Sequence, residues 1–273
     1  MSELMKIAAN IQAMWAYQSL SDINKEIGVR QLRLSTGRKI NSTEEDPAGY
    51  QLARTLERRR RGLEVALQNV SNAQNILNVA EGGYQNIMDI LQTLKEKATQ
   101  AADYSLSSSQ REAIQDQVTA LISEIDDIVS ETTFNTYNLI DGSYNGKFHT
   151  GEGAADELSI SLHDADSAAL QINNISVATA ASASAAISTL SQAIDNLAGW
   201  IQDVGEYKVR LSSKEQTLSV AITNTEAVRS TIEDADFARE QMELMKLQIL
   251  QQTAVSSYVQ ANVSPQLVLS LFR

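Results

Sequence analysis

The chain of 273 residues contains no cysteine, which excludes disulfides, thiolate metal sites and cysteine nucleophiles and leaves the compartment open. Proline occurs only at Pro47 and Pro265, so no proline interrupts a helix between these two positions. Glycine, with 12 residues, and aromatic residues, at 5%, are also scarce for a compact enzyme. These shortages favour long helices.

Basic residues are outnumbered: 22 lysines and arginines stand against 34 aspartates and glutamates, which gives a net charge of −12. Such a chain repels nucleic-acid phosphates and anionic lipid surfaces. We therefore expect protein partners, no nucleic acid and no membrane.

Sequence motifs for catalysis are missing as well. The two histidines, His149 and His163, have no HExxH spacing, and the chain has no GxSxG, P-loop or GxGxxG sequence. We therefore expect no catalytic site, no metal site, no cofactor and no enzymatic activity.

Charge is also absent from both ends of the chain, from Ile7 to Ser21 and from Leu247 to Phe272. Amide side chains interrupt the apolar residues too often for a membrane-spanning helix, so we expect other copies of the chain to bury these ends in a polymer. We further expect the two ends to pair, with Leu4, Ile7, Ile11 and Met14 facing residues such as Leu244, Leu247, Ala254 and Tyr258. The predicted interface residues are Ile7, Ile11, Met14, Trp15, Leu20, Leu244, Leu247, Ile249, Leu250, Tyr258, Leu267, Leu269 and Leu271.

Apolar residues recur at alternating steps of three and four from Leu63 to Ala101, which predicts a long helix in a bundle of coiled-coil type. Asp46 can cap the first turn of this helix, where Pro47 needs no N–H partner. A second apolar seam from Ile114 to Ile128 and a third from Leu190 to Ile222 predict two further helices. The polar break before the second seam spans residues 105–110.

Residues 134–177 change character and predict short hairpins. Asp141-Gly142 and Asn145-Gly146 are turn signals, and the residues from Leu158 to Leu162 alternate between apolar and polar. The serine and alanine stretch from Ala178 to Ala186 is either a linker or the start of the third helix.

The predicted fold is therefore mainly α: a long antiparallel helical bundle or coiled-coil rod with a small β-hairpin region and paired N- and C-terminal helices. Five segments follow from this fold. They are an N-terminal helix and connecting loop (1–45), the N-terminal helices of the rod (46–133), the β-hairpin region (134–177), the C-terminal helix of the rod (178–230) and a C-terminal helix (231–273).

Four successive arginines, Arg58, Arg59, Arg60 and Arg61, cannot form one basic face because neighbouring helical residues point about 100° apart. Two interpretations remain open. The run is either solvated, or it forms salt bridges with acidic residues of a neighbouring subunit, among them Glu233, Asp234 and Asp236.

The sequence LSTGRKINSTEEDPAG, from Leu34 to Gly49, closely resembles the LSSGxRINSAxDDPAG signature of bacterial flagellins. Further resemblance to this family lies in Met5 to Leu20, in Phe134-Asn135 with Leu139 and Gly142, and in the ending from Ala261 to Leu271. The resemblance implies a subunit of the flagellar filament whose terminal helices line an inner tube. Asp46, Pro47 and Gly49 of this signature are predicted to cap the helix that follows. Gly37 is predicted either to permit a turn between the inner and outer segments or to be an ordinary C-cap of the first helix.

The resemblance also implies partners: further copies of the chain in a helical homopolymer, flagellar junction and cap proteins, an export chaperone and the type III flagellar export apparatus. The N-terminus has no cleavable signal pattern, so secretion to an extracellular filament is expected to use the flagellar channel. The interval 134–177 is too short for the family's variable outer domains. Thr93 and Lys97 replace the arginine and leucine that many flagellins present to the animal innate receptor, and we expect weak activation of that receptor.

Two alternatives remain. A hook-filament junction protein resembles flagellin at both ends but acts as an adaptor in few copies. A secreted enzyme or adhesin on the same scaffold would need an inserted domain, for which the hairpin region offers little room.

Overall fold

The computed structural model describes residues 10–270 of the chain, with side chains from Asn10 to Val263. Five α-helices lie in this part of the chain: α1 (Ile11–Thr36), α2 (Pro47–Ala101), α3 (Ser108–Glu131), α4 (Ala180–Glu233) and α5 (Phe237–Ser270). Four short strands lie between α3 and α4: β1 (Thr133–Phe134), β2 (Tyr137–Asn138), β3 (Asn145–His149) and β4 (Glu157–Ser161). The predicted mainly helical fold with a small hairpin region is confirmed.

The chain divides into two compact units. The terminal unit contains the residues up to Arg58 and from Asn224 onward, and the central unit contains Arg59–Thr223. Each unit has its own group of buried apolar side chains.

The core of the central unit follows the predicted seams. Every third or fourth residue of α2 is buried, and these side chains pack against the apolar faces of α3 and α4. The buried residues of this seam are Leu63, Ala66, Val70, Ala73, Leu77, Ala80, Tyr84, Ile87, Leu91, Leu94, Ala98 and Ala101, and Ile76 is buried beside them. A single heptad pattern therefore accounts for one wall of this core.

Capping side chains set the starts of α3 and α4. Ser107 and Gln110 form a reciprocal capping box before α3. Before α4, Thr179 Oγ1 accepts a hydrogen bond from the backbone N–H of Ser182 (3.1 Å), and Ser182 Oγ accepts one from the N–H of Thr179 (3.1 Å). The stretch from Ala178 to Ala186 is therefore a helix start and not a linker.

The first hairpin pairs β1 with β2. Its turn residues Asn135 and Thr136 have positive φ angles of 48° and 72°, a turn conformation that matches the twist of antiparallel strands. The family resemblance of Phe134-Asn135, with Leu139 and Gly142, implied a first hairpin here, but the turn itself was not predicted. Gly142, at the predicted Asp141-Gly142 turn, has a positive φ of 75°.

The second hairpin corrects one prediction: Asn145-Gly146 is not a turn but the beginning of β3, opposite Ser161 and Ile160 of β4. A Cβ on Gly146 would lie 2.6 Å from the Tyr144 hydroxyl. The glycine is therefore needed for the close approach of a ring and not for a change of chain direction.

Side chains of α3 hold the irregular segment between β4 and α4. The Asp126 carboxylate accepts hydrogen bonds from the backbone N–H (2.8 Å) and hydroxyl (2.9 Å) of Ser167. Gln115 Oε1 accepts one from the N–H of Val177 (2.6 Å). These contacts satisfy backbone N–H groups that have no partner in a neighbouring strand.

Candidate assembly interface

Helices α1 and α5 pack against each other in antiparallel directions. Asn10 donates from Nδ2 to the carbonyl of Ala261 (2.7 Å), and the rings of Tyr17 and Tyr258 lie 6.1 Å apart. Further along, Gln251 donates to Asn24 Oδ1 (2.6 Å). Contacts at increasing positions on α1 thus fall at decreasing positions on α5, which confirms the predicted pairing of the terminal helices.

A small apolar cluster holds one end of this pair together. Ile27 of α1 is buried against Leu244 and Leu247 of α5, with the half-buried Ile23 and Leu34 beside them. This register corrects the prediction that Leu244 and Leu247 face the first residues of the chain. The connection after α1 is hydrogen-bonded to the connection before α5, so the end of α1 lies beside the start of α5. Leu247, near the start of α5, therefore contacts Ile27 and not the first residues of the chain.

The outer face of the pair carries large apolar side chains that the chain itself leaves in contact with solvent. Met14 is 66% exposed, Trp15 is 69% exposed and Ile249 is 65% exposed, and Leu250 is exposed as well. Ile11, Leu20 and Tyr258 are half-buried. Several large apolar side chains exposed on one helix pair indicate a surface for protein contact.

Sequence analysis missed several members of this exposed set. These residues could have been predicted from their positions on helices that carry apolar residues on several faces. They are Tyr17, Phe237, Met242, Met245, Val255, Val259 and Val263. Among the predicted residues, Ile7 and Leu271 lie outside the described part of the chain, and Leu267 and Leu269 follow the last described side chain.

The connection between α1 and α2 has defined caps. Gly37 ends α1 in the left-handed conformation with a φ of 70°, and its N–H donates to the carbonyl of Arg33 (2.9 Å). Asp46 Oδ1 accepts from the N–H of Gly49 (2.9 Å), and Pro47 is the first residue of α2. A Cβ on Gly49 would lie 2.4 Å from Asp46 Oδ2, so the cap requires glycine there.

The α1–α2 connection pairs with the α4–α5 connection. The N–H of Lys39 donates to the carbonyl of Glu233 (2.6 Å), and the N–H of Ala235 donates to the carbonyl of Gly37 (2.9 Å). Between these bonds, Arg38 and Asp234 form an isolated antiparallel bridge. The bases of α1 and α5 are thereby joined through their backbones.

Glu233 lies inside this junction. Its side chain forms ion pairs with Arg38 (3.2 Å), Arg229 (2.6 Å) and Arg54 of its own chain. The structure thus assigns Glu233 to intrachain partners instead of the predicted neighbouring subunit, because it is buried where three arginines converge. The hydrogen bonds that Arg229 donates to Glu226 and Glu233 raise the pKa of Arg229, so this guanidinium stays charged.

Glu240 is a second buried carboxylate, on the first turn of α5. It accepts two hydrogen bonds from Arg30 (2.8 and 3.1 Å) and lies 3.5 Å from Arg33. The hydrogen bond to Glu240 raises the pKa of Arg30. Arg30 and Arg33 are three residues apart and share one helix face, which is the sequence signal that could have indicated this pair.

The arginine run is divided among different contacts. In the central unit, Arg59 lies 3.0 Å from Glu152 and Arg60 pairs with Glu64 one turn along α2. Arg58 and Arg61 are exposed. Asp234 is exposed, and Asp236 caps α5 by accepting from the N–H groups of Ala238 (3.0 Å) and Arg239 (3.2 Å).

Two negative findings hold for the described part of the chain. Among residues 10–270, no helix combines the length and apolarity needed to cross a membrane. Within the same range, no three histidine, aspartate or glutamate side chains are grouped as a metal ion would require.

Comparison with known proteins gives two family matches and similar relatives. Residues 7–145 match the family described as bacterial flagellin N-terminal helical region, and residues 187–272 match bacterial flagellin C-terminal helical region. Flagellin FlaB1 of Treponema pallidum (strain Nichols) is 32% identical, over 98% of this chain and 100% of the relative. Flagellin of Bacillus subtilis (strain 168) is 29% identical over 98% of this chain and 100% of the relative.

One solved structure shares the fold at low sequence identity, and a second is similar at a lower TM-score. A putative flagellar hook-associated protein from Vibrio parahaemolyticus has a TM-score of 0.59 at 12% identity, covering 70% of this chain and 100% of that chain. Bacillus cereus flagellin has a TM-score of 0.45 at 20% identity, covering 58% of this chain and 88% of that chain. At such identities the likeness concerns the fold alone.

Proposed function

The chain belongs to the bacterial flagellin family, and from this premise we propose how its terminal helices build the filament. As a flagellin it is a structural subunit that associates with copies of itself in the flagellar filament used for motility, and it is not an enzyme.

The proposal is that neighbouring copies bury the outer face of the α1–α5 pair. Its main support is the exposure of Met14, Trp15 and Ile249, which lie in the uncharged stretches of the two terminal helices, Ile7 to Ser21 and Leu247 to Phe272. Removing each large apolar side chain from water contributes about 1.5 to 3 kcal/mol. Several such side chains per copy can offset the entropy lost when the helices become ordered in a polymer.

The predicted segments then receive distinct roles. We propose that residues 1–45 and 231–273 line the inner tube of the filament, and that Ile7, Leu267, Leu269 and Leu271 extend the same interface. Residues 46–133, 134–177 and 178–230 would form the outer rod, with the hairpins as its distal region. Gly37, Asp46, Pro47 and Gly49 would keep the connection between the two parts in one conformation.

Further partners follow from the exposed terminal helices. Before assembly, an export chaperone would cover apolar side chains such as Ile249 and Leu250, and the type III flagellar export apparatus would secrete the chain to the extracellular filament. Junction and cap proteins would contact the two ends of the polymer. Weak activation of the animal innate receptor stays a prediction based on Thr93 and Lys97.

Elongation of filament seeds by the purified chain tests the proposed interface. We expect the wild-type chain to elongate seeds and the double variant Trp15→Ala, Ile249→Ala to fail, while both keep the same circular dichroism as monomers. Tyr104→Ala, which removes an aromatic side chain that is 88% exposed in the central unit, serves as the matched control and should elongate seeds. Elongation by the double variant at the wild-type rate would refute the interface.

The hook-filament junction protein is the remaining alternative, and a deletion strain separates it from flagellin by negative-stain microscopy. Loss of a flagellin removes the whole filament. Loss of a junction protein leaves a bare hook and releases unassembled monomers of the filament subunit into the medium.

A further inference from the structure

The side chain of Glu233 is the most enclosed charged group among the described residues, with 1% of the residue exposed. Three arginines reach it from different elements: Arg38 from the α1–α2 connection, Arg54 from α2 and Arg229 from α4. Arg54 is itself held over the ring of Tyr50 at 5.3 Å. The carboxylate thus ties two other parts of the terminal unit, the α1–α2 connection and α2, to the end of α4.

The backbone of the same residue closes the junction. The Glu233 carbonyl accepts from Lys39, and two residues later Ala235 donates to Gly37. The main chain of Glu233 is therefore hydrogen-bonded to the segment that follows α1. The side chain of Glu233 pairs with the three arginines.

Removing the charge would have a large effect. A buried ion pair adds little net stability, but deleting one partner leaves the other charges enclosed without compensation. Here the Glu233 carboxylate is the common partner of three guanidinium groups. Arg229, the most enclosed of them, also pairs with Glu226 (2.6 Å). Removing the Glu233 charge therefore mainly deprives Arg38 and Arg54 of the carboxylate that ties them to α4, which would loosen the junction between the two connections.

We infer that Glu233 is a positioning residue for filament assembly. Its carboxylate, through its three arginine partners, holds the α1–α5 pair in one fixed direction relative to the start of α2 and the end of α4. Every copy then presents its exposed apolar face to its neighbours in the same way. This inference rests on the proposed function of the α1–α5 pair as the assembly interface.

The first test compares Glu233→Gln with Asp234→Asn in the full chain. Both variants remove one negative charge at adjacent positions, but Asp234 is exposed and its carboxylate lies 3.9 Å from Arg229. Glu233→Gln should raise the critical concentration for seeded elongation by about tenfold or more, and Asp234→Asn should leave it within about twofold of wild type. Equal critical concentrations for the two variants would overturn the inference.

A second test separates positioning from a general loss of stability. Arg38 and Asp234 face each other across the antiparallel bridge, and directly opposed Cα atoms lie within disulfide range. Because the chain has no other cysteine, Arg38→Cys with Asp234→Cys can be oxidised in the Glu233→Gln background without competing pairs. Oxidation should restore elongation, and reduction should abolish it again.

The two tests distinguish the inference from the proposed function. If the wild-type chain fails to elongate seeds, the proposed assembly interface is wrong. If the wild-type chain elongates seeds but the oxidised triple variant stays as defective as its reduced form, the assembly interface stands and Glu233 does not act by positioning.

Discussion

Single side chains determine where the helices of the terminal unit begin and end. Asp46 accepts from Gly49 at the start of α2, and Gly37 takes the left-handed conformation at the end of α1. Ten residues therefore separate α1 from α2 without a regular element, and each end of this connection is closed by one hydrogen-bonded cap.

Substitution of Asp46 tests the first of these caps. Asp46→Ala removes the acceptor for the Gly49 N–H and should lower the free energy of unfolding by about 1 kcal/mol. Asp46→Ser keeps an acceptor and should recover most of this loss. Urea denaturation followed by circular dichroism measures both variants, and equal midpoints for Asp46→Ala and wild type would contradict the role of the cap.

Tyr84 gives a pH-dependent prediction in the central unit. Its hydroxyl is buried and donates to the carbonyl of His163 (2.6 Å), and burial raises its pKa well above the usual value. Above pH of about 10 an unfolded tyrosine loses its proton while the folded one keeps it, so the free energy of unfolding falls by up to about 1.4 kcal/mol per pH unit.

The Tyr84→Phe variant separates this effect from the titration of other groups. The variant loses one hydrogen bond and should be less stable at neutral pH, by about 1 kcal/mol. Its free energy of unfolding should decline less steeply than that of wild type above pH of about 10. If the free energies of unfolding of wild type and Tyr84→Phe change in parallel with pH, the pKa of Tyr84 is the same in the folded and unfolded chain.

At the scale of elements, the α1–α5 pair has two unlike sections. Near the connections, Ile27, Leu244 and Leu247 form a closed apolar cluster beside the Arg30–Glu240 ion pair. Further out, amide hydrogen bonds and one ring pair join the helices, while large apolar side chains such as Met14 and Trp15 are exposed. We therefore expect the section near the connections to be stable in the monomer and the outer section to depend on neighbouring copies.

Leu247 and Ile249 are a matched pair for testing this difference. Leu247, which is 5% exposed, lies in the cluster, whereas Ile249 lies on the outer face two residues away. Leu247→Ala should reduce the hydrogen-exchange protection of α5 in the monomer by about 2 to 3 kcal/mol. Ile249→Ala should change it by less than about 0.5 kcal/mol.

The effects of the two variants on seeded elongation should not follow their effects on hydrogen-exchange protection in the monomer. Ile249→Ala should raise the critical concentration by about tenfold, because the lost apolar area is buried only between copies. If Ile249→Ala lowers monomer protection as much as Leu247→Ala, the outer face is already buried within one chain and the distinction fails.

At the scale of the whole molecule, the two tryptophans report separately on the two compact units. Trp15 lies on the exposed face of α1 in the terminal unit. Trp200 is half-buried in the central unit and stacks on His163 with ring centroids 5.5 Å apart. Burial of the terminal helices on assembly should therefore change the surroundings of one tryptophan much more than those of the other.

Fluorescence of single-tryptophan chains measures this difference. In a Trp200→Phe chain, emission from Trp15 should shift to shorter wavelength when filaments form, because the indole leaves water. In the control chain, Trp15→Phe, emission from Trp200 should stay nearly constant. A constant Trp15 spectrum through polymerisation would exclude burial of this face in the filament.

Local patterns in the sequence were enough to predict the core of the central unit. The seam from Leu63 to Ala101 is buried in the structure because helical periodicity alone decides which residues of α2 share a face. The start of α2 at Pro47 was predictable for the same reason, since capping involves residues only three apart. The lack of charge near both termini predicts an interface with other copies, and this interface stays a prediction.

What the sequence determined by itself about this protein is therefore its helices, its buried seam and its apolar ends, all of which depend on neighbours along the chain. Tertiary structure alone decided the register that brings Leu247 to Ile27, the strand that contains Gly146 and the convergence of three arginines on Glu233. These contacts join residues far apart in sequence, and their partners are set by how connections fold and which helix faces meet, which no local pattern encodes.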